Sequence, residues 1–360
     1  MRWSFKFGRL VGIDVYVHFT FFLLLAWVAF VYWQQSQSLG AALLGVSFIL
    51  AIFACVVLHE LGHAITAKKY GIKTRDIILL PIGGVARLER MPDKPQQELW
   101  VALAGPAVNV VIATVLGLWL WVTNSFSPSN PLTFTTGPFI ERLMGVNIFL
   151  ILFNMVPAFP MDGGRVLRAL LATRIEYTRA TQIAAKLGQG IAVVFGIVGL
   201  FYNPLLLFIA FFVWAGAAQE TRLTQMKSAL SGIPVSQAML TDFSRIHKNN
   251  TLHQAIELTL SGSQKDFPVV DNDSIAGVLT QSDLLSALSK QGQHLLVSDV
   301  MQKNFITVES SDKLENAFIK LKDCNCHTLP VTQSGRLVGL LTMDNLNEHM
   351  HIQAALGNPN

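Results

Sequence analysis

Residues 41–67, AALLGVSFILAIFACVVLHELGHAITA, form one long apolar run whose far end carries His59, Glu60 and His63. Crossing hydrocarbon takes about 20 apolar residues in a helix, and this run is long enough. In lipid only helices and closed barrels satisfy their backbone hydrogen bonds, and a run of this length suits a helix. Two imidazoles and a carboxylate are costly against lipid, and so they are expected to face protein or a wet cavity.

Composition agrees with a membrane protein. The 360 residues are 51% hydrophobic and 14% charged, where a soluble domain carries about 25% charged residues. The mean hydropathy is +0.44. A net charge of +4 gives no ground for nucleic-acid binding. Three cysteines, Cys55, Cys324 and Cys326, do not suggest a disulfide framework. The length allows two domains. The chain changes character near residue 218, apolar before it and ordinary soluble α/β sequence after it.

The candidate spans are 16–33, 41–67, 99–122 and 140–156, with two more sharing 187–218 around the break Asn203-Pro204. Arg2, Lys6 and Arg9 precede the first span without a small-residue cleavage site, which reads as a retained anchor. Loops 67–98 and 161–186 are rich in Lys and Arg, Arg168 among them, whereas 34–40 and 123–138 have none. The positive-inside rule then places both termini and both basic loops in the cytoplasm. Six spans satisfy that arrangement.

HELGH matches H-E-x-x-H. Histidines four apart lie on one helix face. That spacing lets His59 and His63 bind one zinc, with Glu60 as general base. Zinc needs a third protein ligand and keeps a position for water, whose pKa it lowers to about 7. Counting from residue 43, His59 lies about 24 Å into a hydrocarbon core about 30 Å thick. The fourth span reaches a similar depth near residue 156, and NMVPAFPMDGGR follows. Pro157 and Pro160 break the helix there. Asp162 then either caps a helix beginning at Gly163 or supplies the third ligand; the matching depth of HELGH favours the ligand.

HELGH in the second span and N-x-x-P-x-x-P-x-D-G-G in the fourth resemble the site-2 proteases, intramembrane zinc metalloproteases. The resemblance covers residues 1–218. It implies regulated intramembrane proteolysis, with zinc on His59, His63 and Asp162, and Glu60 activating water. The substrate implied is a membrane protein with a transmembrane segment. Residues 76–89, DIILLPIGGVARLE, resemble the family's hairpin beside the active site, whose edge can hold an opened substrate backbone. Asn109 in AGPAVN matches the family's G-P-x-x-N. Asn109 and Asn154 either bind substrate or stabilise the oxyanion, or else make interhelical hydrogen bonds. His18 also recurs in the family, and a structural role suits it best.

The tail repeats itself at an offset of about 62 residues, as two units that would pack together. VSQAM recurs as VSDVM, FPVV as LPVT, and GVLTQSDLL as GLLTMDNLN. Each unit reads as strand and helix, then two strands and a helix. This is similar to a tandem pair of CBS domains, which implies ATP or AMP at G-x-x-T-x-x-D. The first copy has Thr280 and Asp283; the second has Thr342 but Asn345 in place of Asp, a poorer acceptor for two ribose hydroxyls. CBS pairs also serve purely structural or dimerising roles, so a homodimer is among the expected partners. Cys324, Asn325, Cys326 and His327 do not make a tetrahedral zinc site without a second cluster.

The expected fold is thus a polytopic α-helical membrane protein of about six transmembrane helices with a C-terminal soluble α/β CBS pair. Residues 1–218 form the protease domain, 219–234 the linker, and 235–290 and 297–352 the CBS copies. The expected location is a cell membrane, multi-pass, and no nucleic-acid partner is expected. A CBS-regulated ion channel or transporter is the alternative. It would not need Glu60 inside an H-E-x-x-H frame, and it should show repeated membrane halves.

Overall fold

The computed structural model describes residues 3–89, 91–92, 94–125, 137–272, 274–324 and 326–356. Arg2, Arg90, Asn325 and most of the loop 123–138 lie outside them. The chain divides into two compact units, Met1–Arg222 and Leu223–Asn360.

The first unit opens on a hairpin, β1 (Ser4–Leu10) and β2 (Ile13–His18). Val11 and Gly12 have φ of 52° and 85°, the two left-handed positions that a two-residue hairpin turn requires. Ile13, Val15 and Val17 are buried and alternate with half-buried neighbours, a strand period. The first helix, α1 (Phe19–Ser36), therefore starts later than the expected 16–33. Tyr16, Val17 and His18 raise hydropathy but belong to β2. His18 caps α1, its Nδ1 accepting the Thr20 N–H at 3.4 Å, a structural role as expected.

The long helix α2 (Leu39–Lys69) leads into β3 (Thr74–Leu80) and β4 (Gly83–Leu88). The order in the sheet is β1-β2-β3-β4, with β2 and β3 parallel and β4 at an edge. The hairpin expected at 76–89 is thus half of a four-stranded sheet. Then follow α3 (Pro95–Val122), α4 (Phe139–Asn154), α5 (Asp162–Ala172), α6 (Tyr177–Phe201) and α7 (Pro204–Ala229). The run 187–218 is two helices, divided at Asn203 as the sequence suggests. Among the described residues, α1, α2, α3, α6 and α7 are long and apolar enough to cross a membrane. The expected fourth span, 140–156, is α4, which has 16 residues and ends early at the proline-rich turn. Leu118, Trp119 and Trp121 on α3 and Phe208 and Phe211 on α7 are exposed. Apolar surface of that extent is foreign to a water-soluble monomer and suits contact with lipid.

In the second unit the repeat is visible element by element. The first copy contains β5 (Ile246–His247), α8 (Leu252–Ser261), β6 (Phe267–Asp271), β7 (Ser274–Leu279) and α9 (Gln281–Gln291). A short α10 (Val297–Val300) leads to the second, with β8 (Val308–Glu309), α11 (Leu314–Cys324), β9 (Thr328–Gln333), β10 (Arg336–Thr342) and α12 (Met343–Leu356). The strand orders are β5-β6-β7 and β8-β9-β10. The copies exchange their leading segments. Val235 belongs to the core of the second copy and Val297 to that of the first. Leu240 pairs with Leu340, and Gln302 with Val278.

Part of the expected linker 219–234 is helix, because α7 runs on to Ala229. Leu230 and Val235 are wholly buried in the second copy's core, with Met226 and Ile233 packed against it. Cys324 and Cys326 are bonded to each other across one residue, and Cys55 is free and buried. Leu314→Ala removes a wholly buried side chain from the same core. It should lower the stability of this unit by about 2–5 kcal/mol, read as earlier loss of protease resistance in residues 223–360 of the full chain as urea rises.

Candidate metal centre

His59 and His63 lie one turn apart on α2, and both are buried. Asp162, the first residue of α5, comes to them from 103 and 99 residues further along the chain. His59 Nε2 is 3.1 Å from His63 Nε2, and Asp162 Oδ2 is 3.2 Å from each. Among the described residues this is the one group of His, Cys, Asp and Glu whose ligand atoms converge in this way. A tetrahedral zinc with bonds of about 2.0–2.1 Å separates its ligand atoms by about 3.3 Å, close to the triangle seen here.

The second nitrogen of each ring decides what that triangle is. His59 Nδ1 lies 2.7 Å from Asn109 Oδ1, and His63 Nδ1 lies 2.6 Å from the Val101 carbonyl oxygen. Both oxygens only accept, so both Nδ1 atoms carry the proton and donate it. Each Nε2 is left with a lone pair. Two such nitrogens and a carboxylate oxygen at these distances repel one another unless a cation lies among them. Two imidazoles and one carboxylate suit zinc and leave a fourth position open. The residues fit the metal that the sequence motif implies.

The oxygens orienting the histidines come from one face of α3. Val101, Gly105 and Asn109 recur at helical spacing and are all buried. Gly105 sits under the rings; a Cβ there would collide with both Nε2 atoms. Asn109 is wholly buried. Its Nδ2 donates to Asn147 Oδ1 at 3.1 Å, and Asn147 Nδ2 donates to the Leu143 carbonyl at 2.8 Å. A chain of hydrogen bonds thus runs from the α4 backbone to His59. Of the roles weighed for Asn109, the hydrogen bonds present are interhelical, and both ends of its amide are engaged by protein. Asn154, the last residue of α4, is half-buried. Val101 and Asn147 had no signal in the sequence: one acts through its backbone, and the other is a lone amide in an apolar run.

Glu60 is half-buried beside this triangle. Its Oε2 accepts the Ala86 N–H from edge strand β4 at 3.1 Å. Arg165 Nη1 stands 4.0 Å from the outer oxygen of Asp162. Asp162 thus begins α5, near where a capping reading had put it, while its Oδ2 turns to the histidines.

In the C-terminal unit a cleft of about 850 Å³ is lined by Thr280, Thr342, Asp266, Thr328, His327 and Asn345, among others. Thr280 and Thr342 therefore share one cavity. Asp283 is not among its lining residues; it accepts from Thr280 Oγ1 at 2.5 Å and from Gln302 Nε2 at 2.8 Å. Asn345 accepts from Thr342 Oγ1 in the same way, and both threonines accept the N–H three residues on. They act as helix N-caps in this structure, which a ribose-binding motif read from sequence does not reveal.

The chain is similar to known proteins along its whole length. The family model described as Peptidase family M50 matches residues 47–136 and 126–195, and that of the CBS domain matches 235–290 and 297–352. Zinc metalloprotease MJ0392 of Methanocaldococcus jannaschii is 32% identical over 353 residues, covering 98% of this chain and 97% of the relative. Stage IV sporulation protein FB of Bacillus subtilis is 27% identical over 162 residues, covering 44% of this chain and 51% of that protein. The solved site-2 protease from Methanocaldococcus jannaschii is 38% identical, with a TM-score of 0.45, and covers 61% of this chain and 96% of that one.

Asn109→Ala removes the acceptor that fixes the His59 tautomer. Loss of such a partner typically weakens metal affinity by about 10–100-fold. Competition against a chelator of known zinc affinity measures it.

Proposed function

This chain belongs to peptidase family M50, the site-2 protease family of zinc metalloproteases, and carries a tandem CBS pair; from there we propose that it is an intramembrane endopeptidase. Its reaction is hydrolysis of a peptide bond within or near a transmembrane segment of another membrane protein, in regulated intramembrane proteolysis. The observation that supports this most is the buried His59–His63–Asp162 triangle with Glu60 beside it, in the C-terminal half of the apolar helix α2. Membership in a protease family removes the ground for the channel or transporter alternative.

His59, His63 and Asp162 would hold zinc. In such a site zinc supplies Lewis acidity toward a carbonyl and lowers the pKa of water to about 7. Glu60 takes a proton from the attacking water and delivers it to the leaving amine nitrogen. A peptide bond within a helix is shielded, so the substrate must unwind first. Strand β4 lies at a sheet edge, and an extended peptide can add to it through backbone hydrogen bonds. Asn154 is our candidate for holding a substrate carbonyl. The charge pattern of the loops favours both termini in the cytoplasm of a cell membrane. The CBS pair would bind ATP or AMP in the cleft containing Thr280 and Thr342, with Asp283 available to the ribose once it leaves Thr280. It would also be the surface for any homodimer.

Glu60→Gln keeps the ligands and removes the base. Wild type and variant should each hold about one zinc per chain, since zinc takes three protein ligands at such a site. Only the wild type should cleave a single-span substrate in detergent, with the variant slower by at least the 10²-fold typical of general base loss. Zinc without cleavage by the wild type, at any nucleotide concentration, would overturn the endopeptidase reading. Separately, Thr280→Ala should weaken AMP binding by full-length protein in calorimetry. Equal affinity in the variant would remove Thr280 from the nucleotide site.

A further inference from the structure

Arg168 counts as one more basic loop residue in the sequence, but only 1% of its surface is exposed. A buried guanidinium is costly unless its N–H groups are paired. Here Nε and Nη2 donate to Glu98 Oε1 at 2.8 and 2.5 Å, and Nη1 donates to Glu220 Oε1 at 2.5 Å. The rings of Phe159 and Tyr177 each lie 5.0 Å from its central carbon. One side chain of α5 thus gathers α3, α6, α7 and the turn that precedes Asp162.

Two features tie this cluster to the metal centre. Glu98 lies one helical turn before Val101 on α3, and the Val101 carbonyl holds His63. Arg168 lies six residues after Asp162 on α5, about 9 Å along the axis. The start of α5 has no slack. A Cβ on Gly164 would come within 2.7 Å of the Ala158 carbonyl carbon, and one on Gly163 would collide with the Val156 carbonyl. So α5 moves as one body, with Asp162 at its tip and Arg168 fixed to α3.

We infer that Arg168 is a positioning residue for the metal centre: through Glu98 it locks α5 to the helix that orients both histidines, and so sets the distance of Asp162 from them. All three ligand side chains then take their position from α3, His63 through Val101, His59 through Asn109, and Asp162 through Glu98 and Arg168. This rests on the zinc site proposed above. The competing explanation is an ion pair that stabilises the fold alone.

The test uses the full chain in detergent, stripped of metal, and reads metal binding rather than cleavage. Glu98→Gln keeps an oxygen acceptor and removes the charge. Arg168→Lys keeps the charge and loses the planar fork. Both are titrated with zinc against a competing chelator, and with Co2+, whose visible absorption reports ligand geometry. Zinc affinity should fall by about 10–100-fold, and the Co2+ absorption should shift or weaken. Glu220→Gln, on the α7 arm, should change both less. If folded Glu98→Gln keeps the wild-type affinity and Co2+ spectrum, the inference is wrong, whatever its melting temperature. If Arg168→Lys does not fold, Glu98→Gln decides alone. If the wild type itself takes up neither ion, the zinc site has failed, and this inference falls with it.

Discussion

Three electron pairs cannot converge within 3.2 Å by chance. His59 Nε2, His63 Nε2 and Asp162 Oδ2 do so because other groups hold each side chain from behind. An imidazole in a buried site can flip or change tautomer; a flip would put a C–H where the lone pair was, and a tautomer change an N–H. The acceptors at Asn109 and Val101 remove that freedom. Most of the membrane unit can be understood as the means of placing those acceptors. Helix α3 crosses against α2 with Gly105 beneath the rings, and α4 contributes Asn147 to fix Asn109.

The bilayer sharpens this requirement. A polar group that fails to find its partner in hydrocarbon has no water to fall back on. The irregular stretch between α4 and α5 would be intolerable facing lipid. It is tolerated because it is packed: Ala158, Phe159 and Met161 are almost completely buried. Its carbonyls at Val156 and Ala158 accept within the turn. Breaking α4 early thus lets a carboxylate reach histidines on another helix while Ala158, Phe159 and Met161 keep the turn before it packed.

How far the sequence spoke for itself depended on the kind of signal. H-E-x-x-H fixes two ligands by helical geometry alone, and the prolines before Asp162 mark where the chain leaves its helix. The halves of 187–218 were separable because Asn203-Pro204 is local chemistry. By contrast β1 and β2 were hidden, since Tyr16, Val17 and His18 merge into the hydropathy of α1. The Val101 carbonyl is invisible because any residue has one. Arg168 was misread for a related reason: charge counting along a loop assumes solvent, and its partners Glu98 and Glu220 are 70 and 52 residues away. In the second unit the repeat was plain, but the exchange of Val235 and Val297 between the copies was not. Identical repeats pack equally well with or without such a swap, so no residue announces it.

The edge strand β4 poses a last physical problem, and its solution bears on the chemistry. An unpaired sheet edge carries backbone donors and acceptors that must be met, and an open edge does not occur against lipid. Here the edge lies beside α2, where Glu60 accepts the Ala86 N–H. One hydrogen bond therefore satisfies a donor of the edge and holds a carboxylate next to the histidine pair. A peptide pairing with that same edge would offer its own carbonyl to Ala86. The carboxylate would then lose its partner just as a scissile bond came within reach. On the proposed function the strand and the base would compete for one N–H, and the arrival of an extended backbone would then release Glu60 to take a proton.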